Sequence, residues 1–174
     1  MSRRLMHRNG FTIIELVIIL MLVSIVAVII APKMLAVSSA EAGAFADKLR
    51  ADTRYAQTLA MTRNQRYRVY VNTAPAPAPN GYAVVYDTSS AKNWSSFGYV
   101  QDTVNGGNLS ITLGSGQYTG ITITSPAAGY VEFNSFGTPA VGGGFSFVGG
   151  IGTITINASA AATVNVADQT GAVN

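Results

Sequence analysis

Of the eight acidic residues in the chain, Glu15 is the one whose position demands a chemical explanation, because it interrupts an apolar run from Phe11 to Ala31 just after the start. At bilayer depth an acidic side chain costs roughly 2.5 to 3.5 kcal/mol on insertion scales, so it needs water or a dedicated cation beside it. Its chemistry is therefore ion pairing. Catalytic chemistry has little to draw on. His7 is the only histidine and precedes the apolar run, and cysteine is absent. After His7 the chain cannot build Ser-His-Asp or Cys-His triads, nor zinc sites that rest on His or Cys. Paired-carboxylate chemistry would have to use Asp87, Asp102, Glu132 or Asp168, which are dispersed without a motif. Asp168-Gln169-Thr170-Gly171 offers too few oxygens for calcium and reads as a turn, and the glycine pairs lack the lysine and the strand-to-helix setting of a phosphate loop. No cofactor, no metal and no enzymatic activity are expected.

The element that positions Glu15 is a helix. Phe11 to Ala31, at about 1.5 Å per residue, is long enough to cross a hydrocarbon core of about 30 Å. Arg3, Arg4 and Arg8 precede it, which places the N-terminus in the cytoplasm and everything from Pro32 onward across the membrane. A cleaved secretory signal is the alternative, with Ala40-Glu41-Ala42 as its A-x-A site. Such a signal has a shorter, uncharged core, so the run reads as a retained anchor.

Gly10 followed by Phe11-Thr12-Ile13-Ile14-Glu15-Leu16, with an apolar stretch ending at Pro32, resembles the class III leader of type IV pilins and type II secretion pseudopilins. The resemblance implies cleavage by a prepilin peptidase between Gly10 and Phe11 and N-methylation of the new Phe11 amine. It also implies that Glu15 pairs with the N-terminal amine of a neighbouring subunit during assembly. The physics agrees: an anion in the first helical turn is favoured by the helix dipole, and a neighbour's amine lowers the cost of immersing it. Ala44 to Arg68, followed by an extended Tyr67 to Val71, resembles the helix-to-strand passage of the GspH/FimT group of minor pilins and pseudopilins. Val131-Glu132-Phe133-Asn134-Ser135-Phe136-Gly137, two late strands and Asp168-Gln169-Thr170-Gly171 resemble that group's C-terminal pattern. Residues 73 to 125 are too loop-rich to extend the match.

That resemblance implies an α+β fold, with a long N-terminal helix packed on an antiparallel sheet. Its implied partners are a prepilin peptidase, other pilin or pseudopilin subunits, an assembly platform and the bacterial inner membrane. The chain would cross that membrane once, keep its head in the periplasm, and then enter a pilus or pseudopilus filament. Some members of the group that take up DNA carry arginines after the terminal glycine, whereas Gly171 here is followed by Ala172-Val173-Asn174. Nucleic acid is not an expected partner. The alternative is a membrane-tethered binding module such as an adhesin or DNA-uptake pilin.

Charge supports that division. The formal charge of +3 includes Arg3, Arg4 and Arg8, so removing a leader of residues 1 to 10 leaves eight basic against eight acidic residues. Lys33 to Arg68 is basic, while beyond Arg68 only Lys92 opposes Asp87, Asp102, Glu132 and Asp168. A basic stem under an acidic head either favours packing between subunits or meets anionic headgroups, unless it is only a solvated helix face.

Four segments are expected: a leader at 1–10, a membrane and filament-core helix at 11–31, an amphipathic stem helix at 32–66, and a β-rich head at 67–174. Pro32 removes a backbone donor and is expected to kink the helix. Phe45, Leu49, Ala56 and Leu59 fall at helical spacing as a stripe toward the head, with Asp47, Lys48, Arg50, Asp52 and Arg54 on the other side. From Arg68 the period changes to two. Strands are expected at 67–71, 82–87, 110–113, 120–124, 129–133, 144–148, 153–157 and 163–167, with turns at Asn105-Gly106-Gly107, Gly142-Gly143 and Gly149-Gly150. Ala74 to Gly81 is a Pro-rich spacer biased to polyproline II. Trp94, Phe97 and Tyr99 either fill the core locally or contact a partner.

Overall fold

The computed structural model describes residues 11–75, 80–148, 151–157 and 161–174, with the side chains of 28–39, Ser125 and Ile151 also left aside. Two compact units divide between Val37 and Ser38. The helix α1, Ile13–Arg63, runs through that division and supplies elements to both. The fold is α+β, as the sequence implies, with α1 packed on antiparallel sheet.

Within the second unit, α1 buries Ala42, Phe45, Ala46, Leu49, Thr53, Ala56, Leu59 and Ala60, a stripe at three- and four-residue spacing. The expected stripe of Phe45, Leu49, Ala56 and Leu59 is the one buried. α1 stops at Arg63, before the expected Arg66, because Asn64 takes the left-handed conformation at φ 51° and Gln65 N–H donates to Ala60 O at 3.3 Å. That is a Schellman termination with asparagine in the place that glycine usually takes. Arg63 in the last turn complements the helix dipole.

The larger sheet contains β1 (Tyr67–Val71), β2 (Gly81–Asp87), β3 (Phe97–Tyr99), β4 (Ser110–Thr112), β6 (Gly129–Phe133) and β7 (Pro139–Gly143). Its order is β3-β2-β1-β6-β7, with β4 also pairing β2. β1 alternates buried and half-buried, and its antiparallel register sets Tyr67, Val69 and Val71 beside Tyr86, Val84 and Tyr82 on the helix-facing side. Phe45 of α1 packs edge-on to Tyr118 at 5.3 Å and tilted against Tyr82 at 5.9 Å. Truncating a side chain as enclosed as Leu49 costs about 2–5 kcal/mol.

A three-stranded sheet of β5 (Thr122–Ser125), β8 (Ile151–Asn157) and β9 (Ala162–Ala167), in the order β5-β8-β9, completes the core through Ile123, Ile154, Ile156, Val164 and Val166. Asn72, at φ 51° after β1, stitches the two sheets. Its Nδ2 donates to Ile123 O at 2.9 Å and Pro126 O at 3.2 Å, and its Oδ1 accepts from Gly81 N–H at 3.2 Å.

Two expectations fail here. The strand expected at 144–148 is instead β7 at 139–143, and Gly142-Gly143 is strand rather than turn. Gly142 faces Tyr130 in the register, and an added Cβ would collide with the Tyr130 phenol, so the missing side chain is what admits the neighbouring ring. The short β3 has no counterpart among the expected strands. Asn105-Gly106-Gly107 does turn, with Gly106 N–H donating to Asp102 O at 2.9 Å. Residues 76–79 of the Pro-rich spacer and Gly149-Gly150 lie outside the described residues.

Candidate functional site

In the first unit, Thr12 opens the helix. Leu16 N–H donates to Thr12 O at 3.2 Å, and Glu15 N–H donates to Thr12 Oγ1 at 3.3 Å. Thr12-Ile13-Ile14-Glu15 is the threonine-x-x-glutamate spacing of a capping box, a signal present in the sequence and absent from the expectations above. Glu15 sits exposed in the first turn, where the helix dipole favours its charge. Phe11 is 74% exposed, and Ile13, Ile14, Leu16 to Val23, Ile25 and Val26 are all at least 45% exposed. A contiguous apolar surface of this kind marks an interaction site. No helix is long and apolar enough to cross a membrane among the described residues, whose side-chain description of the apolar run ends at Ala27. Gly10 lies outside the described residues, and Pro32 lies within α1 with its side chain among those left aside.

In the second unit, residues expected to decorate the solvent side of the stem hold the head instead. Asp52 Oδ2 accepts from Tyr82 Oη at 2.5 Å and from Lys48 Nζ at 3.0 Å. Arg54 donates through Nε and Nη2 to Val173 O at 3.1 and 2.6 Å, and Arg50 Nη2 donates to Thr163 O at 2.7 Å. Gln57 Nε2 bridges Gly137 O at 2.9 Å and Thr170 O at 3.0 Å. These side chains are long enough to reach around the helix, so helical spacing alone assigns them to the wrong side. Asp168 to Thr170 does form the expected turn.

The face of the larger sheet away from α1 gathers four charged side chains, Arg66, Arg68, Asp87 and Glu132. Arg66 donates to Asp87 Oδ2 and to Glu132 Oε1, both at 3.0 Å, and Arg68 Nε donates to Glu132 Oε2 at 2.7 Å. Burial alone would raise the pKa of Asp87. Hydrogen bonds from the Ser89 hydroxyl and from the Ser89 and Trp94 N–H groups, with the Arg66 charge, outweigh it and hold the carboxyl below the usual range. Arg68 lies between the Trp94 ring at 4.1 Å and the Tyr130 ring at 4.0 Å. Trp94 therefore folds back onto the arginines, Tyr99 Oη donates to Pro75 O at 3.2 Å, and Phe97 remains 46% exposed. The reading of a basic stem beneath an acidic head is corrected accordingly: Asp87 and Glu132 are neutralised within the chain by Arg66 and Arg68. Among the described residues no cluster of three or more acidic or histidine side chains could hold a metal.

The family model for the type II transport protein GspH matches residues 46–170, including the loop-rich stretch from 73 to 125. No curated protein matches the chain. Among solved structures, the type IV minor pilin FimU of Pseudomonas aeruginosa strain PAO1 is similar, with a TM-score of 0.46 and 13% identity over 78% of this chain and 88% of that one. With the helix-on-sheet head and the match across most of its length, the chain belongs to the GspH family of type II transport proteins, a structural and non-enzymatic family.

Proposed function

We propose that the chain is a minor pilin or pseudopilin subunit, cut between Gly10 and Phe11 by a prepilin peptidase and N-methylated on Phe11. Residues 11–31 first anchor it in the inner membrane with the head in the periplasm, and then form the core of a filament as an assembly platform adds subunits. Residues 32–66 are the stem, bent at Pro32, and 67–174 the head. Glu15 pairs with the Phe11 amine of a neighbour. The observation that supports this reading is the exposed apolar surface from Ile13 to Val26 with a single carboxylate in its first turn, on a chain of a type II transport family. That family favours a secretion pseudopilus over a pilus. With Arg66 and Arg68 both paired to carboxylates, the head offers little to a nucleic-acid backbone.

The test is Glu15→Ala against Glu15→Gln in cells, with the leader mass and membrane fractionation measured alongside incorporation into filaments. Both variants are expected to be cleaved and inserted normally and to incorporate about tenfold less, because a neutral amide cannot offset the amine. Normal incorporation of Glu15→Gln overturns the pairing, and an intact leader overturns the processing.

A further inference from the structure

A cavity of about 470 Å3 in the head is lined by Tyr55, Leu59 and Arg63 of α1, Tyr86 of β2, and the stretches from Tyr99 to Thr103 and Gly106 to Asn108. We propose that it is a binding site for a carboxylate-bearing ligand, held by the Arg63 guanidinium between tyrosine walls.

Arg63 is exposed, and no carboxylate among the described residues lies within ion-pair distance of it. Every other arginine of the head unit is engaged: Arg50, Arg54, Arg66 and Arg68 all donate to oxygens. The cavity's own carboxylate does not compete for Arg63. Asp102 is buried, and its oxygens accept from Val104 N–H at 2.8 Å and Asn105 Nδ2 at 3.1 Å. Its backbone is fixed by Asp102 N–H donating to Gly107 O at 2.7 Å, and Gln101 Nε2 donates to Gly106 O at 2.9 Å. The loop wall is thus built before any ligand arrives.

A second observation comes from behind the wall. Tyr67 is fully buried and its hydroxyl has no hydrogen-bond partner. Burial raises its pKa, Arg63 lowers it in part, and Tyr86 and Tyr55 are its other titratable neighbours, so three cavity-lining residues surround the orphan phenol. Arg63 acts on this oxygen through its charge and a loose side-chain contact, and with no carboxylate partner among the described residues the rest of its planar fork stays available to an incoming acceptor.

One unpaired guanidinium beside one internally bonded carboxylate suits a single negative charge and disfavours a phosphate dianion. The tyrosine faces add apolar contact for the carbon atoms that carry it. An acidic peptide side chain and a small free acid share this chemistry. The assignment stands on the cavity and does not depend on entry into a filament.

The full chain in detergent micelles, labelled for amide NMR, would be titrated with N-acetylglutamate methylamide, its glutamine counterpart, acetate and inorganic phosphate. The expected result is movement of the Gln101, Thr103 and Asn108 signals, with the glutamate probe binding at least about tenfold more tightly than the glutamine probe. Arg63→Gln should abolish that preference, and Arg63→Lys should retain part of it, with the rest of the spectrum unchanged in both. Acetate binding as tightly as the peptide probe keeps the carboxylate site and assigns a free acid to it, whereas weak acetate binding assigns a peptide segment. Equal binding of the glutamate and glutamine probes, absence of shifts at these residues, tighter binding of phosphate, or an unaltered preference in Arg63→Gln would overturn the proposal.

Discussion

Tyr82 on β2 donates its phenol hydrogen to Asp52 on α1 across 2.5 Å, joining the stem helix to the strand beneath it. Burial and the Asp52 carboxylate both push the Tyr82 pKa up, so the group stays a donor across the working pH range. Tyr82→Phe keeps the ring against Phe45 and deletes only that bond. The expected loss is about 1.5–3 kcal/mol, the usual range for a hydrogen bond to a charged acceptor, read from the urea midpoint of the full chain in micelles. A change under about 0.5 kcal/mol would mean Lys48 alone satisfies Asp52.

Gly171 stands at φ +65° with its Cα turned toward Gln57, and an added Cβ would lie 2.7 Å from Gly137 O. Gly171→Ala is expected to destabilise the head by about 1–3 kcal/mol through strain and loss of the Gln57 bridge. Gln57→Ala in the same background should then cost much less than it does alone, and additive effects in the double-mutant cycle would refute the shared cause.

Asp87 gives the acid limb its sign. A carboxyl whose pKa is lower folded than unfolded contributes stability that is complete above its unfolded value, 3.8, and is lost as pH falls through the folded one. Thermal unfolding should therefore soften below about pH 4, and Asp87→Asn should flatten that part of the curve while lowering stability at pH 7. Parallel curves for the two proteins from pH 7 to pH 3 would show that Asp87 is not responsible.

How much of this was legible in the sequence depended on whether the cause was local. The bounds of Tyr67–Val71 and Gly129–Phe133, and the stripe of Phe45, Leu49, Ala56 and Leu59, follow from periodicity, because one buried face dictates them. β7 was hidden because Gly142 and Gly143 read locally as a turn, while their reason for being glycine is Tyr130 on the adjacent strand. Helical spacing sets Arg50, Asp52 and Arg54 on the side opposite the buried stripe, because it places a Cα on a helix face but does not say how far a long side chain reaches. The residues of the proposed N-terminal site form a contiguous motif in the sequence. Those of the Arg63 cavity do not, since α1, β2 and the 99–108 loop meet only in three dimensions.

β9 ends its sheet, yet its outer side is not bare: Asn165 and Asn174 exchange backbone bonds at 2.7 and 2.8 Å, and Ala167 N–H donates to Ala172 O at 2.9 Å. A naked strand edge is a template on which other chains can zip up indiscriminately. By laying residues 172–174 along that edge and pinning them with Arg54, the molecule silences one amyloid-prone rim, so crowding many copies together does not reward sheet-to-sheet sticking there.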